Sequence, residues 1–414
     1  MDKQKWVNIP AETAWEQGIP LPPIYNFIYL CSHGTGNTGF SAAMSKYGGF
    51  CFYSTNKRNG REHYIDLYQQ MVAYQNTHKK SQFCYLAIRN HIQTDDADKF
   101  YSLIQAQKAL YIARDPISIL KTCVNIRLFR DKKIRILTLD SNPQEIVPQL
   151  IAYPKIIGGG AIRDVSSMPT LDCVMDWINF RYKTFHDSAL INAVNPQEIV
   201  CMDMAQIIGK QAFNTYQNLA KLFSFPLQKE SERGFFEQKV SKYEGLLPLT
   251  LYLEEINTHL FIATKYWIPI NKLSLSYEVR SRYTELFPSP NEDYLDISNA
   301  ILKNHLEIII IMQKESFKQL KKNKQLFEKV IKYLNELIFY IEKQRQIEDS
   351  KALNEQHLLD YLKNNPLLSN KFDNILEEHL AYIKQVRPDI VESWKYYAEF
   401  KQIVESHLYK IPPL

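Results

Sequence analysis

A glycine-rich turn near the N-terminus has the composition of an anion-binding loop. It lies within residues 24–45 (IYNFIYLCSHGTGNTGFSAAMS), between an apolar run that predicts a strand and small residues from Phe40 onward that predict a helix. A strand, a glycine turn and a helix together direct backbone N–H groups and a helix N-terminus toward an anion. We therefore predict a phosphate-binding loop at this turn. It consists of His33, Gly34, Thr35, Gly36, Asn37, Thr38 and Gly39.

The spacing of the turn matches most of a Walker A frame. Gly34 and Gly39 occupy the glycine positions of G-x-x-x-x-G-K-[ST] and Ser41 the hydroxyl position, but Phe40 stands where the lysine should be. The three glycines of the turn can adopt positive φ angles without a Cβ penalty, and its threonines and asparagine add side-chain donors. The turn can hold phosphate, but it lacks the positive charge that ordinary ATP and GTP hydrolysis requires.

Two further predicted strands end in cationic and hydrogen-bonding side chains. Residues 83–88 form an apolar run of the kind found in buried parallel strands, and the tripeptide RNH follows it as residues 89–91. Residues 108–113 form another such run, followed by RDP at 114–116 and a predicted helix. In open α/β sheets, ligands bind outside the carboxyl ends of the strands, near the point where the strand order reverses. The sequence therefore predicts that both tripeptides join the glycine turn in one site.

Strands that alternate with helices place this site in an α/β fold. The predicted strands are residues 24–31, 49–54, 83–88, 108–113, 134–139 and 198–202. Residues 143–152 and 171–192 are predicted helices, 156–169 a loop, and 259–268 and 272–279 added strands. The alternation implies βαβ crossovers and a mostly parallel sheet in a three-layer fold. Beyond about residue 290 the pattern predicts helices without strands. We expect an N-terminal arm (1–23), an α/β domain (24–290) and a helical C-terminal domain (291–414).

The composition indicates a globular protein in a reducing compartment. The 414 residues are 45% hydrophobic and 23% charged, with a formal net charge of +5, which suits an anionic ligand but does not demand nucleic acid. The six cysteines are scattered without a C-x-x-C pair, so we expect free thiols. Residues 1–23 contain no apolar segment of the secretion-signal type, and we expect a cytoplasmic location. No spacing of His, Asp and Cys predicts a metal.

The ordered motifs across residues 24–226 resemble the sulfotransferases, a family that moves a sulfuryl group from 3′-phosphoadenylyl sulfate to an acceptor. The GNT at 36–38 is similar to the G-T-T end of the family's P-K-S-G-T-T loop, which cradles the 5′-phosphosulfate. Arg114 begins a stretch similar to the family's R-[ND]-P motif, and Thr122 stands at its serine position, eight residues later. The RNH at 89–91 is similar to the family's K-T-H ending, which carries a lysine and the catalytic histidine.

This resemblance implies a P-loop-like fold, a donor and a division of roles. The donor is 3′-phosphoadenylyl sulfate, the acceptor is a hydroxyl group of a carbohydrate, and no metal is implied. His91 is expected to act as the general base, with Arg89 as a catalytic cation. Arg114 and Thr122 are expected to hold the 3′-phosphate, while the turn at residues 33–39 holds the phosphosulfate.

The glycine turn departs from the family's loop, and other functions remain as alternatives. Gly34 stands where the family has a lysine, so His33 or Arg89 is expected to supply that charge. An enzyme of the same fold can use another nucleotide-linked donor, with a sugar or phosphoryl-type group. Parts of the chain also resemble uncharacterised transferases of bacterial capsule and lipo-oligosaccharide clusters. A third alternative is a non-catalytic, P-loop-like scaffold.

The C-terminal third of the sequence is basic and helical in pattern. Residues 300–346 carry more Lys and Arg than Glu, with apolar residues at helical spacing. We expect the basic face to be solvated. The alternatives are contact with a partner protein and peripheral binding at the inner face of an anionic membrane.

Overall fold

The structure is a computed structural model that describes most of the chain. The described residues are 9–54, 57–77, 83–105, 107–131, 133–158, 161–180, 184–240, 242–265, 294–302 and 307–408. The predicted strand at 272–279 and the predicted domain boundary near residue 290 lie outside them. None of the helices in the described ranges combines the length and the apolar character needed to cross a bilayer.

The described elements are short strands and helices of widely different length. The strands are β1 (Phe27–Leu30), β2 (Phe50–Tyr53), β3 (Cys84–Ile88), β4 (Lys108–Ala113), β5 (Leu128–Phe129), β6 (Ile136–Leu137), β7 (Ile151–Gly158), β8 (Ala161–Ser166), β9 (Glu198–Asp203), β10 (Leu249–Leu253), β11 (Thr258–Thr264), β12 (Tyr294–Asp296) and β13 (Ile308–Gln313). The helices are α1 (Ala11–Glu16), α2 (Asn37–Lys46), α3 (Gly60–Thr77), α4 (Ala97–Ser102), α5 (Pro116–Val124), α6 (Pro143–Ile146), α7 (Val174–Asn179), α8 (Asp187–Val194), α9 (Ala212–Phe223), α10 (Arg233–Glu237), α11 (Ser298–Ile301), α12 (Lys314–Lys322), α13 (Lys324–Ser350), α14 (Glu355–Lys363), α15 (Pro366–Val386), α16 (Pro388–Glu392) and α17 (Lys395–Leu408).

The first sheet has five parallel strands in the order β2-β3-β1-β4-β9. Its central strands are apolar throughout, FIYL in β1 and CYLAI in β3, because helices cover both faces of a parallel sheet. The register pairs Leu30 of β1 with Ile88 of β3 and with Tyr111 of β4. The predicted α/β class and the mostly parallel sheet are therefore confirmed.

The strand order reverses at β1, the strand that leads into the glycine turn. The chain runs from β1 to β2 at one edge of the sheet, and later crosses β1 on its way from β3 to β4. Helix α2 packs on one face, where Phe40 joins Phe27 and Phe223 in a core. Helices α3, α4 and α5 pack on the other face, against Ile28 and Leu30. Neighbouring connections that leave toward opposite faces open a crevice at the carboxyl ends of the strands.

The second sheet corrects the prediction that no strand follows residue 290. Its strands run in the order β12-β13-β11-β10-β6, with antiparallel pairing except between β6 and β10. β13 has the sequence IIIIMQ and pairs with β11, while α13 packs over the sheet in a separate core. Branched apolar residues favour strands, but periodicity cannot distinguish a run this short from a buried helical segment.

The third sheet, β5-β7-β8, corrects two further predictions. Residues 156–169 were expected to form a loop, but β7 and β8 form a hairpin across most of that range. Much of this hairpin is solvent-exposed, so its composition does not distinguish it from a loop. The predicted helix 143–152 is an α-helix only to Ile146 and continues as a 3-10 helix over Val147–Gln149, and it is wrong at its end, where β7 begins at Ile151. The predicted helix 171–192 is divided into α7 and α8.

From Lys314 onward the described elements are all helices, which confirms a helical C-terminal region. Its last part, residues 355–408, shares one hydrophobic core with α3, α4 and α5. Trp15 and Leu21, within the predicted N-terminal arm, are buried in the same core. The hydrophobic cores therefore extend across both of the predicted domain boundaries.

Candidate functional site

The turn after β1 requires glycine at two positions. Gly34 and Gly36 adopt φ angles of 83° and 84°, and α2 begins at the next residue, Asn37. A Cβ atom on Gly34 would lie 3.2 Å from Ile119 Cγ2 and 3.3 Å from the Ile119 carbonyl oxygen, and one on Gly36 would lie 3.3 Å from Met204 Cε. Gly39 lies in the first turn of α2 with helical geometry, so it does not use the positive φ that glycine permits.

Side chains within the turn hold its shape. Thr35 Oγ1 and Asn37 Nδ2 each donate to the Ser32 carbonyl oxygen at 2.8 Å, and Tyr29 donates its hydroxyl to Asn37 Oδ1 at 2.9 Å. The Thr35 and Asn37 side chains therefore each have a partner within the turn, and their predicted role as donors to a ligand stays a prediction. Further donors at this end of α2 are the N–H groups of its first turn, which have no partner within the helix, and the exposed hydroxyl of Thr38. His33 is exposed at the start of the turn.

Phe40, at the lysine position of the frame, is a core residue. Its ring is fully buried and stacks on Tyr29, with centroids 4.1 Å apart, and meets Tyr85 edge-on. This position points into the sheet–helix core and away from the turn. A cation at the turn must therefore come from another position, and His33 and Arg89 are the predicted candidates.

Arg89 brings a cation to α2 from the end of β3. Its Nη2 donates to Ser41 Oγ at 3.3 Å, and its guanidinium carbon lies 4.3 Å from the centroid of the Tyr53 ring. Its buried Nε makes no hydrogen bond, and no carboxylate of the described residues forms an ion pair with it. Ser41 is the hydroxyl residue of the Walker-like frame, so this charge lies beside the helix turn that a phosphate-binding lysine would serve.

Arg114 contacts the turn directly. Its Nη1 donates to the Gly34 carbonyl oxygen and to Thr122 Oγ1, the latter at 2.8 Å. Its Nε and Nη2 donate to no group among the described residues, and no described carboxylate forms an ion pair with it. Burial lowers the pKa of Arg114, with the nearby Glu355 carboxylate opposing the shift. The predicted pairing of Arg114 with a hydroxyl two turns along α5 is thus present in the structure.

His91 lies at the same edge of the sheet, toward α4 and α8. Its ring stacks beside Tyr101 at a centroid distance of 6.1 Å and beside His186 at 6.4 Å. The side chain is half-buried, and burial lowers its pKa from the ordinary value of 6.5, while the Asp98 carboxylate opposes that shift. A neutral imidazole at neutral pH can accept a proton.

The carboxyl ends of β4 and β9 are hydrogen-bonded to the C-terminal segment, a set of contacts that no pattern in the sequence predicted. Asp115 caps α5 through Oδ1, and its Oδ2 accepts the N–H groups of Tyr396 and Tyr397, both at 3.1 Å. Asp203 Oδ2 accepts from Trp394 Nε1 at 2.5 Å. These partners are 191 to 282 residues apart, so no local pattern in the sequence indicates them.

In the part of the chain that the structure describes, no group of three or more His, Cys, Asp or Glu side chains is arranged to hold a metal ion. A family model described as a protein of unknown function (DUF2972) matches residues 201–406, just under half of the chain. Comparisons with curated proteins and with solved structures found no match. The matched range begins near the end of β9, so it contains the C-terminal helices but not the glycine turn, Arg89, His91 or Arg114.

Proposed function

We propose that the protein is a transferase that moves a sulfuryl group from 3′-phosphoadenylyl sulfate to a hydroxyl group of a carbohydrate. The observation that carries the proposal is a pair of arginines, Arg89 and Arg114, beside the glycine turn at the reversal of strand order. Neither forms an ion pair with a described carboxylate. Partly buried cations without a carboxylate are costly unless an anion neutralises them, and phosphate or sulfate suits the guanidinium geometry.

Each part of the site matches one part of the donor. Arg114 holds the 3′-phosphate through its free Nε and Nη2, which form a planar fork. Thr122 joins it when its hydroxyl, which donates to the Ser118 carbonyl oxygen at 3.1 Å, turns that donor to the phosphate. The N–H groups at the start of α2 and the hydroxyl of Thr38 hold the 5′-phosphosulfate. Holding both ends of the donor sets the direction from which the acceptor must approach.

The transfer needs one base and one cation besides these anchors. An imidazole nitrogen of His91 takes the proton of the acceptor hydroxyl as that oxygen forms a bond to sulfur. The bond between sulfur and the 5′-phosphate oxygen breaks, and 3′-phosphoadenosine 5′-phosphate leaves with the electron pair. Arg89 stabilises the negative charge that develops on the transferring group and on the leaving oxygen.

A second candidate function keeps the same residues but changes the donor. Phe40 occupies the Walker lysine position and Gly34 the sulfotransferase lysine position, so the usual cation for a terminal phosphoryl or sulfuryl group is absent from the turn itself. The missing lysine weakens the specificity for sulfate, so the donor in this second candidate is a nucleotide-linked sugar or a nucleotide that carries a phosphoryl-type group. In both cases the carbohydrate acceptor rests on the resemblance of parts of the chain to transferases of bacterial capsule and lipo-oligosaccharide clusters.

A thermal-shift panel with 3′-phosphoadenosine 5′-phosphate, CDP, UDP and ATP discriminates between these functions. At a hundredfold excess over its dissociation constant, a ligand adds about 2.7 kcal/mol to the free energy of unfolding, so the true ligand raises Tm. We expect stabilisation by the bisphosphate. Stabilisation by CDP or UDP alone would support the second donor class, and no stabilisation by any nucleotide would support a non-catalytic scaffold.

Replacement of Arg114 tests which end of the nucleotide it holds. Arg114→Ala is expected to lower the affinity for 3′-phosphoadenosine 5′-phosphate by about tenfold or more. The affinity for adenosine 5′-phosphate should fall far less, because this nucleotide has no 3′-phosphate. Arg163→Ala, at an exposed arginine of β8, is the matched control and should change neither affinity. Equal losses for both nucleotides in Arg114→Ala would contradict the assignment.

A further inference from the structure

A buried polar network lies beneath the glycine turn, centred on Ser32. This residue is fully buried. Its carbonyl oxygen accepts the two hydrogen bonds from Thr35 and Asn37 that shape the turn, and its hydroxyl donates to Asp187 Oδ1. One residue therefore connects the backbone of the anion-binding turn to a buried carboxylate at the start of α8.

Asp187 joins three elements that are distant in sequence. Its Oδ2 accepts from the Tyr111 hydroxyl of β4 at 2.7 Å, in addition to the Ser32 contact of its other oxygen. Its backbone N–H donates to His379 Nδ1 of α15 at 3.1 Å. The adjacent Ser188 donates its hydroxyl to the His379 carbonyl oxygen at 2.7 Å. The C-terminal helices are thus hydrogen-bonded to the support of the turn.

The chemistry of the network indicates that Asp187 fixes the shape of the turn and does not itself bind an anion. A carboxylate can accept from two hydroxyl groups, one on each oxygen, whereas an amide of the same shape turns one acceptor into a donor. The negative charge of Asp187 beneath the turn opposes a bound anion, so it cannot contribute attraction. His379 Nδ1 accepts a hydrogen bond, which leaves the proton of the neutral ring on Nε2, 3.8 Å from Asp187 Oδ2.

We propose that Asp187 is a positioning residue for the donor-binding turn and that His379 makes the C-terminal helices part of that support. The inference rests on the proposed function in one respect, that the turn binds an anion. With the carboxylate in place, the Ser32 carbonyl oxygen is held where Thr35 and Asn37 can both reach it. Without it, the Ser32 and Tyr111 hydroxyls lose their buried acceptor, and the array of N–H groups at the start of α2 loses its fixed orientation.

Hydrogen exchange and calorimetry on Asp187→Asn and Ser32→Ala test this proposal with the full chain. We expect faster exchange at residues 33–40 in both variants, with unchanged exchange in α13, which belongs to the other core. Both substitutions should lower the affinity for 3′-phosphoadenosine 5′-phosphate by about tenfold. The double variant should lose no more affinity than the more strongly affected single variant, because the two residues act as one unit. Additive losses, or unchanged exchange at residues 33–40, would overturn the proposal.

Substitutions at His379 provide the matched control. His379→Asn keeps an acceptor near the position of Nδ1 and is expected to retain wild-type exchange at the turn. His379→Leu removes the acceptor and should behave like Asp187→Asn. Equal exchange in these two variants would remove His379 from the support. If the unaltered protein binds no nucleotide, the proposed function fails, yet the exchange measurement still decides the positioning role.

Discussion

Phe40 occupies the position at which the Walker pattern has a lysine, and Arg89 brings a positive charge to the same helix. Phe40 stacks on Tyr29 inside the core, where a lysine would place an unpaired charge at a cost of several kcal/mol. Arg89, which follows the neighbouring strand, instead reaches Ser41 on the same helix. The chain thus lacks the lysine of the Walker pattern at Phe40 but has Arg89 near the same helix, because the pairing of β3 with β1 places it there.

The lowered pKa of His91 predicts how the rate of the proposed transfer depends on pH. Burial lowers its pKa below the ordinary value of 6.5, and a general base must be unprotonated. We therefore expect kcat/KM of the proposed transfer to be constant near neutrality and to fall as the pH drops through a midpoint below 6.5. His91→Ala should lower turnover by about 10²- to 10⁴-fold and leave 3′-phosphoadenosine 5′-phosphate binding largely intact.

The pH–rate profile and calorimetry check this assignment together. Full turnover in His91→Ala would remove the residue from the mechanism. If the residual activity of His91→Ala still fell at low pH with the same midpoint, the group that titrates would be another residue.

The turn between β1 and α2 is an element whose glycines are not equivalent. Gly34 combines a positive φ with contact to the backbone of Ile119, whereas Gly39 lies in a helix and has no atom within 4 Å of the position of a Cβ. Glycine is required at position 34 both by the positive φ and by the lack of room for a Cβ beside Ile119. Gly39 is a helical glycine that costs stability compared with alanine.

These two glycines give opposite predictions for the same substitution. Gly39→Ala is expected to raise the free energy of unfolding by about 0.5–1 kcal/mol, because alanine loses less backbone entropy in a helix. Gly34→Ala is expected to lower it by about 1–2 kcal/mol, because an L-residue is strained at this φ and Ile119 must move. Urea unfolding of both variants checks the pair, and a shift of the same sign in both would contradict the geometry of the turn.

At the scale of the whole molecule, the C-terminal helices are part of the body that holds the site. Thirteen buried residues between 358 and 404 belong to the core on the α5 face of the first sheet: Leu358, Leu359, Leu362, Phe372, Ile375, Leu376, Leu380, Ile383, Ile390, Trp394, Tyr397, Phe400 and Val404. Asp115 and Asp203, at strand ends, and Asp187, at the start of α8, add polar contacts to the same C-terminal segment.

Removal of these helices is expected to prevent folding. These helices cover apolar side chains of α3, α4 and α5 in the same core, and each large apolar side chain left exposed costs about 1.5–3 kcal/mol. A typical protein is stabilised by only about 5–15 kcal/mol in total. A chain that ends at residue 352 should therefore be insoluble or lack a cooperative thermal transition. A control chain that ends at residue 408 keeps every described helix and should melt as the full chain does. A soluble, cooperatively melting chain 1–352 would show that the first sheet folds without them.

The sequence by itself determined the α/β class, the parallel central strands and the positions of the glycine turn, Arg89 and Arg114 at strand ends. These features are local, because an apolar run, a glycine with positive φ and a helix-starting proline each leave a pattern within a few residues. The convergence of the three strand ends also follows from sequence, since parallel strands bring their carboxyl ends to one edge.

Only the tertiary structure decided how the turn is supported and which donors remain free. Contacts such as Asp187 with Ser32 or Asp115 with Tyr396 join residues more than a hundred positions apart, and a single aspartate in a helix start carries no sign of its partner. Strand β13 and the β7–β8 hairpin were missed because sheet pairing, and not local composition, makes such short segments strands. Long-range packing therefore decided the shape of the site, while local chemistry had already placed its charged residues.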